Sequence, residues 1–407
     1  MTIRDLTHNG VCQGLNSLRH TFAVILLSCL IPLSCFSCSG GSDDDPQPKP
    51  QPPVVNPEPP AEETTDWQQV ATQSTYTLTD FYWDNDRHFF RYRPNKADTP
   101  AEDWSYWPQA HAMDVIIDAY LRTGDAKWKS YFPLWYEGIK QKSGGGYTND
   151  FVDDMEWICL TMLRLYEATH EQNYMDTAQM LWDTIRSNWN TQGGGGIAWK
   201  QSQPYSKNAC SNGPAGIIAC RMYRLNKKKE DLDLAKKIYE WESNTLVDIK
   251  TGAVYDNLNA QTGAVTNWIF TYNEGTYMGM AHELYQLTGE DFYLDMAVKA
   301  ADYTIRNLTN SSGILKDEGS GDGALFKAVF VRYFALLLKE KGLKDDIRKR
   351  YADFLGKNAK VLHEQGAGNG NLYGGDWTMP GTWDNDLPTQ TSGCTLLEAW
   401  AAYAAGL

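Results

Sequence analysis

The sequence lacks the patterns that usually hold a metal ion or a small disulfide-bonded fold. Only 8 of its 407 residues are cysteine, the cysteines beyond residue 38 have no C-x-x-C spacing, and no two histidines form an H-x-x-x-H pair. These absences predict neither a structural metal site nor a disulfide framework. We therefore expect the later cysteines to be buried thiols, and we expect no cofactor.

Basic residues are also fewer than acidic ones. The formal net charge is −14, and the tight basic run at 227–229 is followed directly by Glu230 and Asp231. Because a nucleic-acid partner requires basic patches that neutralise phosphates, no nucleic-acid binding is expected. Aromatic residues, in contrast, are abundant, with 15 Trp and 23 Tyr. Such rings either pack in a core or stack on sugar faces.

The first 38 residues have the features of an export signal. The apolar run from Phe22 to Phe36 is too short to span a bilayer and is broken by Pro32. Ser37 and Cys38 follow it, and a small residue before a cysteine resembles a bacterial lipoprotein cleavage site. We therefore expect a lipoprotein signal peptide that ends at a lipidated Cys38. Two other cysteines of this region are alternative lipidation sites: Cys35 and Cys29.

The residues after the cysteine indicate a tether. The acidic run 43–45 resembles the export signal of lipoproteins displayed on some Gram-negative surfaces, although a solvated spacer would also contain such a run. Prolines recur from Pro46 to Pro60, which favours an extended spacer. We expect an outer membrane lipoprotein with a flexible Pro-rich tether (39–65) and a folded domain (66–407). The acidic run favours display at the cell surface, and a periplasmic location is the alternative.

Helical periodicity dominates the folded part. More polar helical segments alternate with six strongly apolar ones, and strand signals are few. The apolar segments are 113–121, 155–166, 218–225, 277–284, 326–337 and 396–404, and the polar ones begin near residues 66, 127, 174, 231, 292 and 344. Twelve helices in this order predict an all-α fold, the (α/α)6 barrel of six helical hairpins. An open solenoid is the alternative, but no terminal hairpin resembles a polar cap, which favours closure.

Glycine-rich and aromatic loops precede the apolar helices. They lie at 144–150, 193–199, 266–275, 317–323 and 366–377. Because each loop leads into the start of an inner helix, all five are expected on one face of the barrel. Glycine lets a backbone approach a ligand closely, and Tyr, Trp, Asn and Asp supply stacking and hydrogen bonds. The sequence therefore predicts a binding rim for a polar ligand.

Two adjacent carboxylates, Asp153 and Asp154, stand on this rim at the start of an apolar helix. Acidic residues at a helix start often only stabilise its free N–H groups. A retaining glycosidase, however, needs two carboxyl groups about 5–5.5 Å apart, and neighbouring helical residues are close enough for this. One carboxyl group must stay ionised while the other stays protonated, and an apolar wall such as Trp157 would favour the protonated form. The spacing alone does not show which of the two aspartates is ionised and which is protonated.

Four segments resemble motifs of glycoside hydrolase family 76, the endo-α-1,6-mannanases. They are D-F-V-D-D-M-E-W (150–157), N-A-C-S-N-G-P-A-G (208–216), F-T-Y-N-E-G-T (270–276) and D-G-A-L-F-K-A-V-F-V-R-Y (322–333). The resemblance covers about residues 66–407, and it implies an (α/α)6 barrel that hydrolyses mannan with retention of configuration. It also implies that Asp153 is the nucleophile and Asp154 the acid/base. Glu274 and Ala328 depart from the family pattern, in which Gln and Gly are frequent.

Other rim residues are candidates for substrate binding. Trp107, Trp199, Trp268 and Trp377 are candidates for stacking; Asn212, Tyr272, Asn273, Glu274 and Lys327 are candidates for polar contacts. Each has a structural alternative. Asn212 could cap a helix, residues 272–274 could combine capping with core packing, and Lys327 could pair with interior carboxylates.

The sequence therefore predicts a lipid-anchored, monomeric enzyme that binds α-mannan and contacts the membrane only through its anchor. One alternative is a non-catalytic surface glycan-binding lipoprotein on the same scaffold, although binding alone does not require two adjacent carboxylates. Another is an isoprenoid synthase, because such enzymes hold Mg²⁺ with D-D-x-x-D. Trp157 occupies the fifth position of that motif here, which argues against it.

Overall fold

A computed structural model describes residues 65–99, 102 and 105–407. The predicted signal peptide, Cys38 and almost all of the predicted tether lie outside the described residues. The helices are Trp67–Tyr82 (α1), Trp107–Thr123 (α2), Ala126–Lys129 (α3), Tyr131–Lys142 (α4), Val152–Thr169 (α5), Gln172–Arg186 (α6), Ala209–Asn226 (α7), Lys229–Thr245 (α8), Thr271–Thr288 (α9), Asp291–Asn307 (α10), Asp322–Leu338 (α11), Asp345–Val361 (α12) and Leu387–Ala404 (α13). None of these helices is long and apolar enough to cross a membrane.

Six helices form a closed inner ring. α2, α5, α7, α9, α11 and α13 each pack against the next, and α13 also packs against α2. They are buried on nearly every side; in α7, for example, every residue from Ala209 to Met222 is buried. The remaining helices form an outer ring with one buried face each. The prediction of an all-α (α/α)6 barrel is thus confirmed, and the open solenoid is excluded by the contact between α13 and α2.

The outer ring follows from amphipathic sequence. In α6 the buried residues recur at helical spacing, while residues such as Asp176 and Asp183 face solvent. The buried residues are Tyr174, Thr177, Ala178, Leu181, Trp182 and Ile185. The second outer position is split between α3 and α4, which meet at Ser130. As a result, the thirteen α-helices of the described part of the chain fill twelve positions.

The turns from inner to outer helices repeat. α2, α5, α7 and α9 all end at a residue with left-handed backbone: Gly124, His170, Lys227 and Gly289. This conformation lets the cap N–H bond a carbonyl of the last turn and reverses the chain. The same local turn is therefore used four times.

Glycine in two of the motifs permits close packing between inner helices. A Cβ added to Gly275 of α9 would lie 2.6 Å from the Cα of Phe330 in α11. A Cβ on Gly213 of α7 would lie 2.6 Å from the Cβ of Thr276. Larger residues would push these helices apart, so the glycines of the 208–216 and 270–276 motifs set the diameter of the ring.

Strands are confined to short pieces near the loops. β1 (Trp83–Asp84) and β2 (Phe89–Phe90) form an antiparallel pair that follows α1. β3 (Ser206–Asn208), β4 (Asn257–Asn259) and β5 (Ala264–Thr266) form an antiparallel sheet in the order 3-4-5. This sheet links the segments that lead into α7 and α9, so it fixes part of one end of the barrel.

The inner helices run parallel. The first residues of α2, α5, α7, α9 and α11 line one cavity, and the last turns of α2, α5, α11 and α13 line another at the opposite end. Arginines concentrate at this second end, the base of the barrel. Arg164 and Arg332 reach Asp114 and Asp118 of α2, and Arg221 pairs with Glu283. Cations at helix C-termini complement the negative end of the helix dipole.

A buried ion pair joins the two ends of the described chain. Arg122 of α2 donates to Glu398 of α13 through Nε (2.7 Å) and Nη2 (3.0 Å), and Thr75 of α1 donates to the same carboxylate (2.6 Å). The side chains of Arg122 and Glu398 are 2% and 0% exposed. This contact closes the ring between its first and last helices.

Glu398→Ala should destabilise the fold by about 3–5 kcal/mol, because the substitution leaves the Arg122 charge buried without its partner. Urea unfolding of the 66–407 domain measures the change. Lys229→Ala, which removes an exposed pair with Asp233 on α8, is the control and should leave the unfolding midpoint unchanged. Equal unfolding midpoints for Glu398→Ala and the native sequence would show that the ion pair does not close the ring.

Candidate active site

A cavity of about 760 Å³ opens where the N-termini of the inner helices converge. Its lining is aromatic and acidic, and it includes no lysine or arginine of the described chain. The lining residues are Trp107, Phe151, Asp153, Asp154, Trp157, Trp199, Ser206, Asn208, Cys210, Asp256, Asn257, Trp268, Phe270, Tyr272, Asp322 and Phe326. We call this cavity the cleft.

Asp153 lies on the cleft floor in the first turn of α5 and accepts three hydrogen bonds. Trp199 Nε1 donates to Oδ2 (3.1 Å), Cys210 Sγ donates to the same oxygen (3.4 Å), and the Asp154 N–H donates to Oδ1 (3.1 Å). Burial raises the pKa of Asp153 to about 6, and these hydrogen bonds limit the rise because they favour the ionised form. Asp153 is therefore an anion at neutral pH.

The Asp154 carboxyl group accepts fewer hydrogen bonds than that of Asp153. Its side chain accepts one hydrogen bond, from Asn149 Nδ2 to Oδ2 (2.8 Å). Burial raises the pKa of Asp154 well above its usual range, and the nearby charges of Asp153 and Asp322 raise it further. Because fewer donors compensate it, Asp154 is the carboxyl group that keeps its proton. The environment thus distinguishes two residues that the sequence spacing left equivalent.

Aromatic rings form the walls of the cleft. Tyr272 stacks on Phe326 with a centroid separation of 3.9 Å and an interplanar angle of 6°. Trp107 packs beside Trp157 (6.0 Å between centroids), and Trp268 is 64% exposed at the edge. Four of the predicted binding residues, Trp107, Trp199, Trp268 and Tyr272, therefore line the cleft. Flat rings with polar groups between them suit a sugar chain.

Asn212 does not reach the cleft. It is fully buried beneath the 193–199 loop, where its Oδ1 accepts from the Ile197 N–H (2.7 Å) and its Nδ2 donates to the carbonyls of Ile197 (3.1 Å) and Asn208 (2.8 Å). Asn212 fixes the loop that carries Trp199. The structure thus gives it a supporting position instead of the predicted ligand contact.

Asn273 also lies beneath the cleft lining and supports a residue that belongs to it. It is fully buried, and its Nδ2 donates to Oδ1 of Asp256 (3.2 Å). Asp256 itself lines the cleft, and burial raises its pKa. The predicted residue therefore orients a cleft carboxylate instead of lining the cleft itself.

Three more predicted residues lie away from the cleft. Glu274 is fully buried and accepts from the Val254 N–H (2.9 Å), and burial raises its pKa well above the usual range. Lys327 donates to the carbonyls of Lys316 (3.4 Å) and Gly375. Its ammonium group also lies 4.1 Å from the ring centroid of Trp377, which is fully buried. These residues hold loops together, and Lys327 pairs with carbonyls and a ring instead of interior carboxylates.

The glycines of the predicted rim mostly pack against protein. A Cβ on Gly196 would lie 2.9 Å from the ring of Trp241, so this loop needs glycine to fit over an outer helix. No glycine of the described chain lines the cleft. The loops at 193–199, 266–275 and 317–323 instead supply cleft side chains at or near their ends, such as Trp199 and Asp322. The loops at 144–150 and 366–377 supply none of the lining residues.

Three functional candidates were missed from sequence. Asp322 lines the cleft and accepts from Trp107 Nε1 (2.7 Å). Asp256 lies in a stretch with no pattern of its own, whereas Cys210 lies within the 208–216 motif. Asp322 could have been found, because it occupies the start of an inner helix at the end of a rim loop, as Asp153 nearly does. The cysteines at 159, 210, 220 and 394 are all buried and free, as predicted.

Comparison with known proteins agrees with the site. The sequence profile of glycosyl hydrolase family 76 matches residues 66–405. The α-1,6-mannanase of Salegentibacter sp. HEL1_6 is 42% identical, with a TM-score of 0.79 over 83% of this chain and 99% of that chain. An inactive variant of that mannanase, with two consecutive aspartates replaced by alanine, is known in complex with an α-1,6-linked mannotetraose.

More distant relatives extend the similarity. A Listeria innocua protein is 35% identical, with a TM-score of 0.78 over 84% of this chain and 99% of that chain. The mannan endo-1,6-alpha-mannosidase DCW1 of Saccharomyces cerevisiae is 26% identical over 240 residues, which are 53% of this chain and 51% of that protein. The chain thus spans about half the length of the first curated relatives it matches. With the profile matched over nearly the whole described region, the chain belongs to glycosyl hydrolase family 76.

Proposed function

We propose that this protein is an endo-acting α-1,6-mannanase that hydrolyses the mannan backbone with retention of anomeric configuration. The observation that carries the proposal is the unequal environment of two adjacent carboxyl groups on the floor of an aromatic cleft. Asp153 accepts three hydrogen bonds and Asp154 accepts one from a side chain. The similarity to a mannanase that binds an α-1,6-linked mannotetraose supports the choice of substrate.

In the first step Asp153 attacks the anomeric carbon and Asp154 gives its proton to the glycosidic oxygen. The glycosidic bond breaks, one part of the chain leaves as an alcohol, and the other part is linked to Asp153 as a β-mannosyl ester. In the second step the Asp154 carboxylate takes a proton from water, which attacks the same carbon and releases Asp153. Two inversions give an α-configured product, and both carboxyl groups return to their starting states.

The walls of the cleft suit an extended sugar chain. Trp268 and Phe151 are 64% and 36% exposed at its edge, so rings are available beyond the floor. Asp256, Asn257 and Asn208 offer hydrogen-bond partners for sugar hydroxyls. Several sugar units along the cleft are what an enzyme requires to cleave within a chain, so this lining supports endo action.

We also propose that the enzyme acts as a monomer on the cell surface. The Ser37-Cys38 junction and the proline-rich segment behind it support a lipid anchor with a tether long enough to lift the barrel from an outer membrane. This location would give the cleft direct access to a polysaccharide outside the cell.

Azide should rescue the two aspartate variants with opposite stereochemistry. In Asp154→Ala, assayed with an activated aryl α-mannoside, azide should displace Asp153 from the β-mannosyl ester and give an α-mannosyl azide. In Asp153→Ala, azide should occupy the space of the missing carboxylate and give a β-mannosyl azide. Without azide, each variant should lose at least about 10²–10⁴-fold in hydrolysis of unbranched α-1,6-mannan. NMR of the azide products distinguishes the two cases.

The matched control is Asp345→Ala with Asp346→Ala. These residues form another adjacent aspartate pair in the first turn of a helix, on the outer α12. The control should hydrolyse mannan to a ladder of oligosaccharides like the native protein. Near-native hydrolysis by either Asp153→Ala or Asp154→Ala would refute the assignment. A native protein that binds mannan but releases no reducing ends would indicate the non-catalytic glycan-binding alternative.

The activity should depend on pH through the aspartate pair. Asp153 must lose its proton to attack, and its pKa is raised to about 6, so kcat/KM should rise as the pH increases through about 6. Asp154 must keep its proton, and its pKa is raised well above the usual range, so activity should fall only on the alkaline side. The midpoints of the acid and alkaline limbs of this pH profile are apparent pKa values of the coupled pair, and neither belongs to one aspartate alone. Initial rates on α-1,6-mannotetraose measure them, and an acid limb near pH 4, the ordinary aspartate range, would contradict the account.

A further inference from the structure

Cys210 occupies a position in the cleft that none of the other described cysteines shares. Its thiol lies 3.4 Å from Oδ2 of Asp153 and donates to it. Cys159 and Cys394 donate instead to main-chain carbonyls, of Ala178 (3.4 Å) and Ser74 (3.3 Å). Cys210 is therefore the described cysteine whose S–H contacts a cleft carboxylate.

The thiol also lies beside the cleft wall. Cys210 and Tyr272 both line the cleft and their side chains interact, and the Tyr272 ring is fixed by its stack on Phe326 (3.9 Å). The cleft wall therefore limits how far the thiol can move away from the Asp153 carboxylate.

We propose that Cys210 is a positioning residue for Asp153, which holds the carboxylate in a fixed orientation and favours its ionised form. The inference rests on the proposed function, in which Asp153 attacks the sugar. Trp199 Nε1 donates to the same oxygen (3.1 Å). Two donors from different segments restrict rotation of the carboxylate about its Cβ–Cγ bond more than one donor does.

A thiol is suited to this role because it is a weak donor. A strong donor in its place would stabilise the anion further and make it a poorer nucleophile, whereas loss of the thiol would leave the anion with only its two N–H donors in a dry site. The titratable groups around Asp153 are Asp154 and Glu156 on its own helix, Asp256 and Tyr272 beyond the thiol, and Lys200, whose ammonium group lies 4.6 Å from the ring centroid of Trp199. None of the three groups that donate to the Asp153 carboxylate is a cation, so the N–H and S–H donors carry its direct stabilisation.

The test compares Cys210→Ala, Cys210→Ser and Cys220→Ala. Cys220 lies on the same helix, is fully buried and does not contact Asp153, so its substitution controls for loss of packing. Cys210→Ala should lower kcat/KM on α-1,6-mannotetraose about 10-fold and move the acid limb of the pH profile upward by about 0.5–1 unit, because one net hydrogen bond to the anion is lost. Cys210→Ser, which keeps an O–H donor, should keep the acid limb closer to that of the native protein.

A second readout does not require activity. Carbon-13 NMR of labelled aspartate follows the titration of Asp153 directly, and it should show the same upward shift in Cys210→Ala but not in Cys220→Ala. An unmoved Asp153 titration in Cys210→Ala would overturn the positioning role, even if that variant were less stable. If the native protein hydrolysed no mannan while the titration still shifted, the proposed function would fail and the Cys210 contact would stand.

Discussion

The parallel orientation of the six inner helices imposes opposite electrostatic conditions at the two ends of the barrel. Helix N-termini carry partial positive charge and unpaired N–H groups, and C-termini carry the reverse. Acidic and basic residues are distributed accordingly. Asp153, Asp154 and Asp322 stand in the first turns of inner helices, whereas Arg122, Arg164 and Arg332 lie towards the other end. The location of the cleft follows from this polarity.

The pKa values of buried aspartates shift in opposite directions at the two ends of the barrel. Burial alone would raise the pKa of Asp114 at the base, but Arg332 and Arg164 outweigh it and lower that pKa. At the cleft, no lysine or arginine of the described chain lines the cavity, so burial dominates and the pKa values of Asp153 and Asp154 rise. The base therefore holds ion pairs that stabilise the fold. The cleft holds acids whose protonation near neutral pH is suited to catalysis.

The fold was largely predictable because it depends on periodicity. Six apolar segments and six polar ones mark the two rings. The aspartate pair was predictable because it stands at a helix start on the loop rim. Its division of roles followed only from the family resemblance and not from the spacing, since the difference depends on Trp199 and Cys210, which only the folded chain brings to the pair.

The polar motif residues were harder to interpret. Asn212 and Lys327 have side chains that bind sugars or main-chain carbonyls equally well, and sequence does not reveal which way a helix face points. In the barrel both hold loops: Asn212 fixes the segment before α7, and Lys327 bonds carbonyls on two loops. Asp256 was missed because no sequence pattern marks its segment. It precedes a short strand with no periodic signal, and it reaches the cleft because Asn273 and the β4 segment orient it.

The central claim is that the unequal environments of Asp153 and Asp154 make one a nucleophile and the other an acid/base. Proton NMR of the first product released from α-1,6-mannotetraose, recorded before mutarotation, tests it most directly. A double displacement on Asp153 predicts that the new reducing end appears first as the α-anomer and only later equilibrates with the β-anomer. Initial release of the β-anomer would mean direct attack by water, and it would contradict the roles assigned to the pair.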